Sequence, residues 1–213
     1  MIKLILVRHG ESEWNIIGRI QGHSDPKLTE LGRKQAYLTA ARLSGESVEA
    51  VYSSDLARAR TTAEIIACAH GLDVIVTEML REANLGRWEG LTRQQASEQY
   101  PDEFRAYMSD PVTNRPPCAE RLEAVIVRCR EFVDKLVSQH NHGSTIAVVG
   151  HGGSVRGIIA AVYGMGPEIY RRIRLDNCGI TTLYLRESSP LLAVLNDTCH
   201  LANQQSECGI DEN

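Results

Sequence analysis

A chain of 213 residues, 43% hydrophobic and 23% charged, is long enough to bury its own core and has the balance of an ordinary globular protein. A formal charge of −4 and a pI of about 6.0, with no basic run, exclude the electrostatic footprint of a nucleic-acid binder. No apolar stretch approaches the roughly 18 residues that a membrane-spanning helix needs.

The first predicted element is a buried strand over residues 2–7, apolar except for Lys3. It is too short for the apolar core of a secretory leader and runs straight into charge, so a cytoplasmic protein is expected. The strand ends on Arg8-His9-Gly10-Glu11. A purely structural strand end would favour Asn, Asp, Ser or Pro. Here the chain offers a guanidinium fork for an oxyanion, a nucleophilic imidazole and a glycine that lets backbone come close.

A helix over 29–43 follows, with Thr29 as N-cap and Gly45 past its end. Residues 50–52 form a short strand, 55–69 a helix stopped by Gly71, and 74–76 a third apolar run. This rhythm predicts an α/β fold: an open, mostly parallel sheet flanked by helices on both faces. Residues 78–117 break the rhythm, with two short helical pieces (92–99 and 102–108) and four of the seven prolines. They read as a helical excursion over one edge of the sheet, above the active site, within a single domain of residues 1–213. A long helix over 119–140, a strand over 145–149 and a helix over 152–163 come next. Strands at 181–186 and 191–195, joined through Ser188-Ser189-Pro190, form an antiparallel edge. A second copy could pair there as a homodimer. The polar tail, 204–213, is expected to fray.

Ligands in open α/β sheets bind beyond the carboxyl ends of the strands. Three such ends carry chemistry: Arg8-His9-Gly10, then Ser53-Ser54-Asp55 opening a helix with Arg58, and Gly150-His151-Gly152-Gly153. An arginine in a first helical turn opposes the macrodipole, which favours one that faces a bound anion. Arg58 is read that way and Arg156 as a solvated side chain. The six cysteines (Cys68, Cys118, Cys129, Cys178, Cys199 and Cys208) form no C-x-x-C pair. Free thiols in a reducing compartment are therefore expected. No D-x-D or His/Asp cluster has ligand spacing, so neither a metal nor another cofactor is expected. His70, His140 and His142 read as helix C-terminal residues, and His23 as a loop residue near the site mouth.

The run Leu4-Ile5-Leu6-Val7-Arg8-His9-Gly10-Glu11-Ser12-Glu13-Trp14-Asn15 resembles the signature of the histidine phosphatase superfamily, in its phosphoglycerate mutase-like branch. The resemblance continues in order through Gly18-Arg19-Ile20-Gln21-Gly22 and Leu28-Thr29-Glu30-Leu31-Gly32. It recurs in Ser53 to Ala59, in Leu80-Arg81-Glu82 with Gly86-Arg87-Trp88-Glu89-Gly90, and in Val149 to Gly153. It implies that His9 takes the phosphoryl group on a ring nitrogen and that Arg8, Arg58 and His151 form the cationic pocket. It further implies Asn15 and the Gly152 backbone as phosphate donors, Gln21 and Gly22 as substrate contacts, and Glu82 as proton donor to the leaving group. For His9 to attack, its second ring nitrogen should donate to a backbone carbonyl.

Departures from the mutase pattern favour hydrolysis. Leu85 stands where typical mutases carry a tyrosine, and no Arg-Arg pair occurs in the excursion to hold a carboxylate-bearing bisphosphate. Tyr100-Pro101-Asp102-Glu103-Phe104 and Asp197-Thr198-Cys199-His200-Leu201 are similar to metal-independent phosphoserine phosphatases, and ribazole and broad-specificity sugar phosphatases share much of the pattern. The expected activity is metal-independent hydrolysis of a small phosphomonoester such as phosphoserine or a sugar phosphate. The alternatives are a cofactor-dependent phosphoglycerate mutase and, more remotely, a non-catalytic binder of phosphorylated ligands. Many members have Gly-Gly-Glu-Ser where this chain has Cys118-Ala119-Glu120-Arg121, so the role of Glu120 is open. His200 is read as structural, with the substrate cavity as its alternative.

Overall fold

The computed structural model describes residues 1–186 and 189–202. In chain order the elements are β1 (Ile2–Arg8), α1 (Glu13–Ile16), α2 (Glu30–Leu43), β2 (Val48–Ser54), α3 (Ala57–Cys68) and β3 (Val74–Thr77). Then follow α4 (Arg93–Gln99), α5 (Pro101–Ser109), α6 (Leu122–Gln139), β4 (Thr145–Gly150), α7 (Gly152–Tyr163), β5 (Ile180–Leu185) and β6 (Leu191–Asp197). The strands form one sheet in the order β3-β2-β4-β1-β5-β6. β1 to β4 run parallel, and β5 and β6 complete it as an antiparallel edge. Ser188 of the expected hairpin turn and the expected frayed tail lie outside the described residues.

Both faces of the sheet are covered, which is why β1 and β4 read as continuous apolar runs. On β1, Ile2, Leu4 and Leu6 pack toward α6 and α7. Ile5 and Val7 pack on the other face against Ala40 and Leu43 of α2 and Ala59, Ala63 and Ile66 of α3. The alternation is the period-2 geometry of a strand. α6 presents Val125, Cys129, Phe132 and Leu136 to the sheet at helical spacing.

Several boundaries differ from the sequence reading. β2 is longer than residues 50–52, because its register follows β4 from Val48 to Ser53. α3 begins at Ala57 rather than Asp55, whose carboxylate is engaged by Arg81. α3 has no side-chain cap from its own N-cap residue Leu56, and Asp25 from another loop accepts from Ala57 N at 2.7 Å. α6 starts at Leu122, since Ala119 and Glu120 are tied into turns with Pro116 and Asn84. The excursion is held down by Trp88, which is buried and stacks on Phe104 and Tyr107 of α5 with ring centroids 5.5 and 5.1 Å apart. His140 closes α6 as expected and also bonds Tyr52 Oη at 2.9 Å.

Candidate active site

The parallel register sets Arg8 beside Gly150, so β1 and β4 end flush and the next residue of each chain segment is a histidine. His9 N donates to Gly150 O at 2.9 Å, locking the two strand ends together. From here the chain diverges: β1 leads to α2 on one face of the sheet and β4 to α7 on the other. That is the topological switch point at which α/β sheets open a crevice. The two imidazoles face one another across it, ring centroids 5.1 Å apart at 60°.

His9 is almost fully buried, with 3% exposure. Its Nδ1 lies 2.6 Å from Gly10 O. A carbonyl can only accept, so Nδ1 carries the proton and the lone pair sits on Nε2, as a nucleophile requires. Burial, followed by the Arg58 and Arg8 charges, holds the His9 imidazole well below the ordinary histidine value, with the Gly10 bond pulling the other way. His151 is held low in the same way, by burial and then by Arg58, His9 and Arg8, and neither of its ring nitrogens has a hydrogen-bond partner among the described residues.

The two arginines are preorganised by backbone carbonyls. Arg58 is buried, and its Nη1 and Nη2 donate to Ser24 O at 2.7 Å and Gly22 O at 2.9 Å. Burial lowers its pKa to about 10, which leaves it a cation at neutral pH. Arg8 Nη1 donates to Leu175 O at 2.6 Å. Nε of each arginine is buried without a partner among the described residues, so each guanidinium keeps a donor that an oxyanion could take. Gly22 thus serves Arg58 through its carbonyl, at a φ of +52° and with no room for a Cβ beside the Glu89 carboxylate.

Asn15 Oδ1 accepts from Ser12 N and Ser12 Oγ, both at 2.9 Å, which leaves its amide nitrogen as a donor. Gln21 Oε1 lies 3.0 Å from the same hydroxyl and competes with Asn15 for its single proton. Gly10 is needed for a different reason than closeness to phosphate, since a Cβ there would strike the Gly32 carbonyl at the start of α2. Glu11 accepts from Thr29 Oγ1 at 2.8 Å and is structural.

Glu82 reaches the crevice from the excursion. Its Oε1 accepts from Ala83 N at 2.7 Å and its Oε2 from Gly153 N at 3.1 Å, which puts the carboxyl at the N-terminus of α7 beside His151. A Cβ on Gly153 would collide with that carboxyl, so the second glycine after His151 makes room for the glutamate.

The segment carrying Glu82 is tethered by Arg81, His23 and Glu120, and by Arg128, which sequence reasoning did not single out. Arg81 clamps Asp55 through Nε at 2.9 Å. His23 Nε2 donates to Glu82 O at 2.9 Å. Arg128 on α6 donates to Met79 O at 2.7 Å and Glu82 O at 3.1 Å, and grips both Glu120 oxygens, at 2.9 and 3.1 Å. Glu120 in turn accepts from Asn84 N at 3.1 Å. It therefore braces the acid segment from below instead of lining the pocket. Burial pushes its pKa up, but the Arg128 bond and charge outweigh this and keep it ionised. The missing glycine is visible too: Cys118 sits at φ 63°, a conformation that disfavours a Cβ by roughly 1–2 kcal/mol. Asn177 Nδ2 donates to His9 O at 2.9 Å, and no sequence signal marked it. His200 Nε2 meets Thr39 Oγ1 of α2 at 3.1 Å, a structural contact.

One expectation needs correction. Arg156 is not solvated: it is half-buried, with Nε and Nη1 bonded to Ile173 O at 2.8 Å and Gly152 O at 3.0 Å. The excursion has no adjacent Arg-Arg pair, as read from the sequence, yet it lends single arginines to a cleft beside Glu82. Folding brings Arg93, Arg115 and the later Arg171 to one cleft of about 380 Å³ beside Glu82, although no two are adjacent in sequence. Pairing in space does not require pairing in the chain.

An open α/β sheet whose central strands end on two buried histidines between two guanidiniums defines an enzyme built around an oxyanion. Residues 4–198 match the histidine phosphatase superfamily (branch 1), and the chain belongs to that family. It is 37% identical over 201 residues to phosphoserine phosphatase 1 of Hydrogenobacter thermophilus, covering 94% of this chain and 95% of the relative. It is 35% identical over 193 residues to a probable phosphoglycerate mutase GpmB of Erwinia tasmaniensis, covering 91% and 89%. Among solved structures, the phosphoserine phosphatase of Entamoeba histolytica, a mutant in complex with phosphoserine, superposes with a TM-score of 0.82 at 33% identity, over 94% of this chain and 100% of the other. The mycobacterial glucosyl-3-phosphoglycerate phosphatase in complex with VO3 gives a TM-score of 0.85 at 32% identity, over 92% and 99%. With that membership the chain is a phosphatase of the family.

The low histidine pKa values have a consequence for stability. In the unfolded chain both imidazoles take protons near pH 6.5, whereas burial and the arginines keep them neutral in the fold. The unfolded state then binds more protons below pH 6.5, so stability is full above that pH and falls as the pH drops. The urea midpoint is expected to fall between pH 7.5 and 5.5, and to fall less in His151→Asn. Equal falls in both proteins would show that other groups set the dependence.

Proposed function

We propose that the protein is a metal-independent phosphomonoester phosphatase that works through a phosphohistidine on His9, acting on a small phosphorylated metabolite. The observation that carries the reading is the His9 tautomer: a buried neutral imidazole with its lone pair on Nε2, set between two cationic clamps. Nε2 attacks phosphorus and the P–O ester bond breaks. Arg8, Arg58 and a protonated His151 stabilise the charge on the equatorial oxygens, the stabilisation that a metal ion supplies in other phosphoryl-transfer sites. A bound phosphate dianion favours protonation of His151, and Glu82 acts as the general acid toward the leaving oxygen. The leaving alkoxide takes the Glu82 proton. Water then attacks phosphorus, gives its proton to the Glu82 carboxylate, and the P–N bond breaks to restore neutral His9.

Hydrolysis is preferred to transfer because Leu85 stands where typical mutases carry a tyrosine, and the phosphatases among the relatives support that reading. The test is phosphate release from p-nitrophenyl phosphate in chelator-treated buffer, beside conversion of 3-phosphoglycerate to 2-phosphoglycerate with 2,3-bisphosphoglycerate present. Full hydrolytic activity with chelator is expected. Isomerisation faster than hydrolysis would reverse the choice, and activity restored only by added metal would overturn the metal-independent mechanism.

A further inference from the structure

We infer that Glu89, a carboxylate that no step of the reaction uses, is the positioning residue that holds Arg58 and Glu82 in register with one another, so that a single phosphoryl group meets its clamp and its acid together. The inference rests on the phosphatase reading and adds a residue that sets the geometry of that site.

Glu89 follows Trp88 at the end of the short turn Gly86–Trp88 and is half-buried. Its carboxylate collects bonds from two segments far apart in the chain. Oε1 accepts from His23 N at 3.0 Å and from Leu85 N at 2.9 Å, and Oε2 accepts a longer bond from Ser24 Oγ at 3.4 Å. Gly22 packs against the same group with no room for a side chain. The loop 22–24 and the turn just past Glu82 are thus fastened to one point.

Both segments carry parts of the reaction. Gly22 O and Ser24 O are the carbonyls that aim the Arg58 guanidinium. His23 Nε2 holds the Glu82 carbonyl, and Leu85 N anchors the turn that follows it. A displaced loop would therefore turn Arg58 and loosen Glu82 at once. Arg81 and Arg128 anchor the acid segment to Asp55 and α6, whereas Glu89 fixes the loop that orients Arg58. The charge suits the place as well. Burial lowers the Arg58 pKa, and the Glu82, Asp25 and Glu89 carboxylates push the other way, favouring the cation.

The fold does not depend on this one carboxylate. Gly90 N donates to Ile20 O and Ile20 N to Leu91 O, both at 2.9 Å, so backbone bonds keep the two segments together without it. What its loss changes is the aim of the groups they carry, and a misplacement of about 1 Å can cost a phosphoryl-transfer site on the order of 10²-fold.

Two measurements on Glu89→Ala separate aim from folding, because neither depends on the fraction of enzyme that is active. The inhibition constant of orthovanadate reports the Arg58 clamp and should rise at least about fivefold. The kcat/KM ratio of p-nitrophenyl phosphate to glycerol 3-phosphate reports the acid. It should shift at least about fivefold toward p-nitrophenyl phosphate, whose leaving group needs no proton. Glu89→Gln keeps an amide oxygen for His23 N and Leu85 N, and should return both values to within about threefold of the parent. Glu89→Asp, one methylene too short to reach both donors, should move both in the direction of alanine and serves if the alanine variant folds poorly. Equal losses on the two substrates with an unchanged vanadate constant would reduce Glu89 to a folding residue and overturn the inference, as would parental values in Glu89→Ala. Glutamine as deficient as alanine would overturn it too, since the assigned hydrogen bonds survive that change. All three outcomes leave the phosphatase reading intact, whereas a folded parent inert toward p-nitrophenyl phosphate would overturn both.

Discussion

Replacing His9 with alanine is expected to lower phosphate release by on the order of 10³-fold or more, because the covalent route disappears with the nucleophile. The loss should be in turnover and not in folding. Gly10 N still donates to Thr62 Oγ1 and Cys178 N to Arg8 O, so the backbone around the substitution keeps its bonds. Arg8, Arg58 and His151 remain to hold an oxyanion, so orthovanadate or phosphate should still bind to the variant. Rapid acid quench of the parent enzyme with a radiolabelled substrate should trap label on the protein in an acid-labile, base-stable form, as a phosphoramidate requires. The same quench of the variant should trap none. Near-parental turnover in His9→Ala, or label retained on it, would remove His9 from its assigned role.

The second large effect concerns Glu82. Glu82→Gln keeps the side chain's shape and its bond from Gly153 N but can neither give nor take the proton. For an alkyl phosphate, whose alkoxide needs protonation to leave, the rate should drop by roughly 10²–10⁴-fold. For p-nitrophenyl phosphate, whose leaving group is stable as an anion, the drop in the first step should be much smaller. A burst of p-nitrophenol followed by slow turnover is then expected, since the base for the attacking water is also missing. Gly153→Ala offers an independent route to the same result. Its methyl group would occupy the position of the carboxyl, displacing Glu82 while leaving the residue chemically intact. It should mimic Glu82→Gln in selectivity between good and poor leaving groups. Equal losses on both kinds of substrate in either variant would count against the acid role.

Much of this site was legible in the chain because its parts sit at strand ends, where local sequence and position in the fold coincide. Arg8-His9-Gly10 and Gly150-His151-Gly152 follow strongly apolar strands, and a parallel sheet brings such ends to one edge. Even the proton on His9 Nδ1 could be anticipated, since an attacking imidazole must have its other nitrogen occupied. The supporting groups were hidden for the opposite reason. Arg128 lies 46 residues from Glu82 on a helix whose visible pattern is its apolar face, and nothing in its neighbours marks the backbone carbonyls it will meet. Asn177 lies 168 residues from His9, in a loop with no periodicity. The arginines of the cleft come from three segments whose convergence depends on the path of the excursion.

The sequence alone therefore determined the order of the elements, the open α/β class and which histidines and arginines stand at the strand ends, because apolar periodicity and strand-end chemistry are local properties. Tertiary structure decided which carbonyls orient each guanidinium, that Glu120 braces the acid segment, and that Arg156 turns inward. It also decided that arginines far apart in the chain share one cleft. Those outcomes depend on hydrogen bonds and charges meeting across long loops, where the direction of a side chain is set by packing and not by its neighbours in sequence.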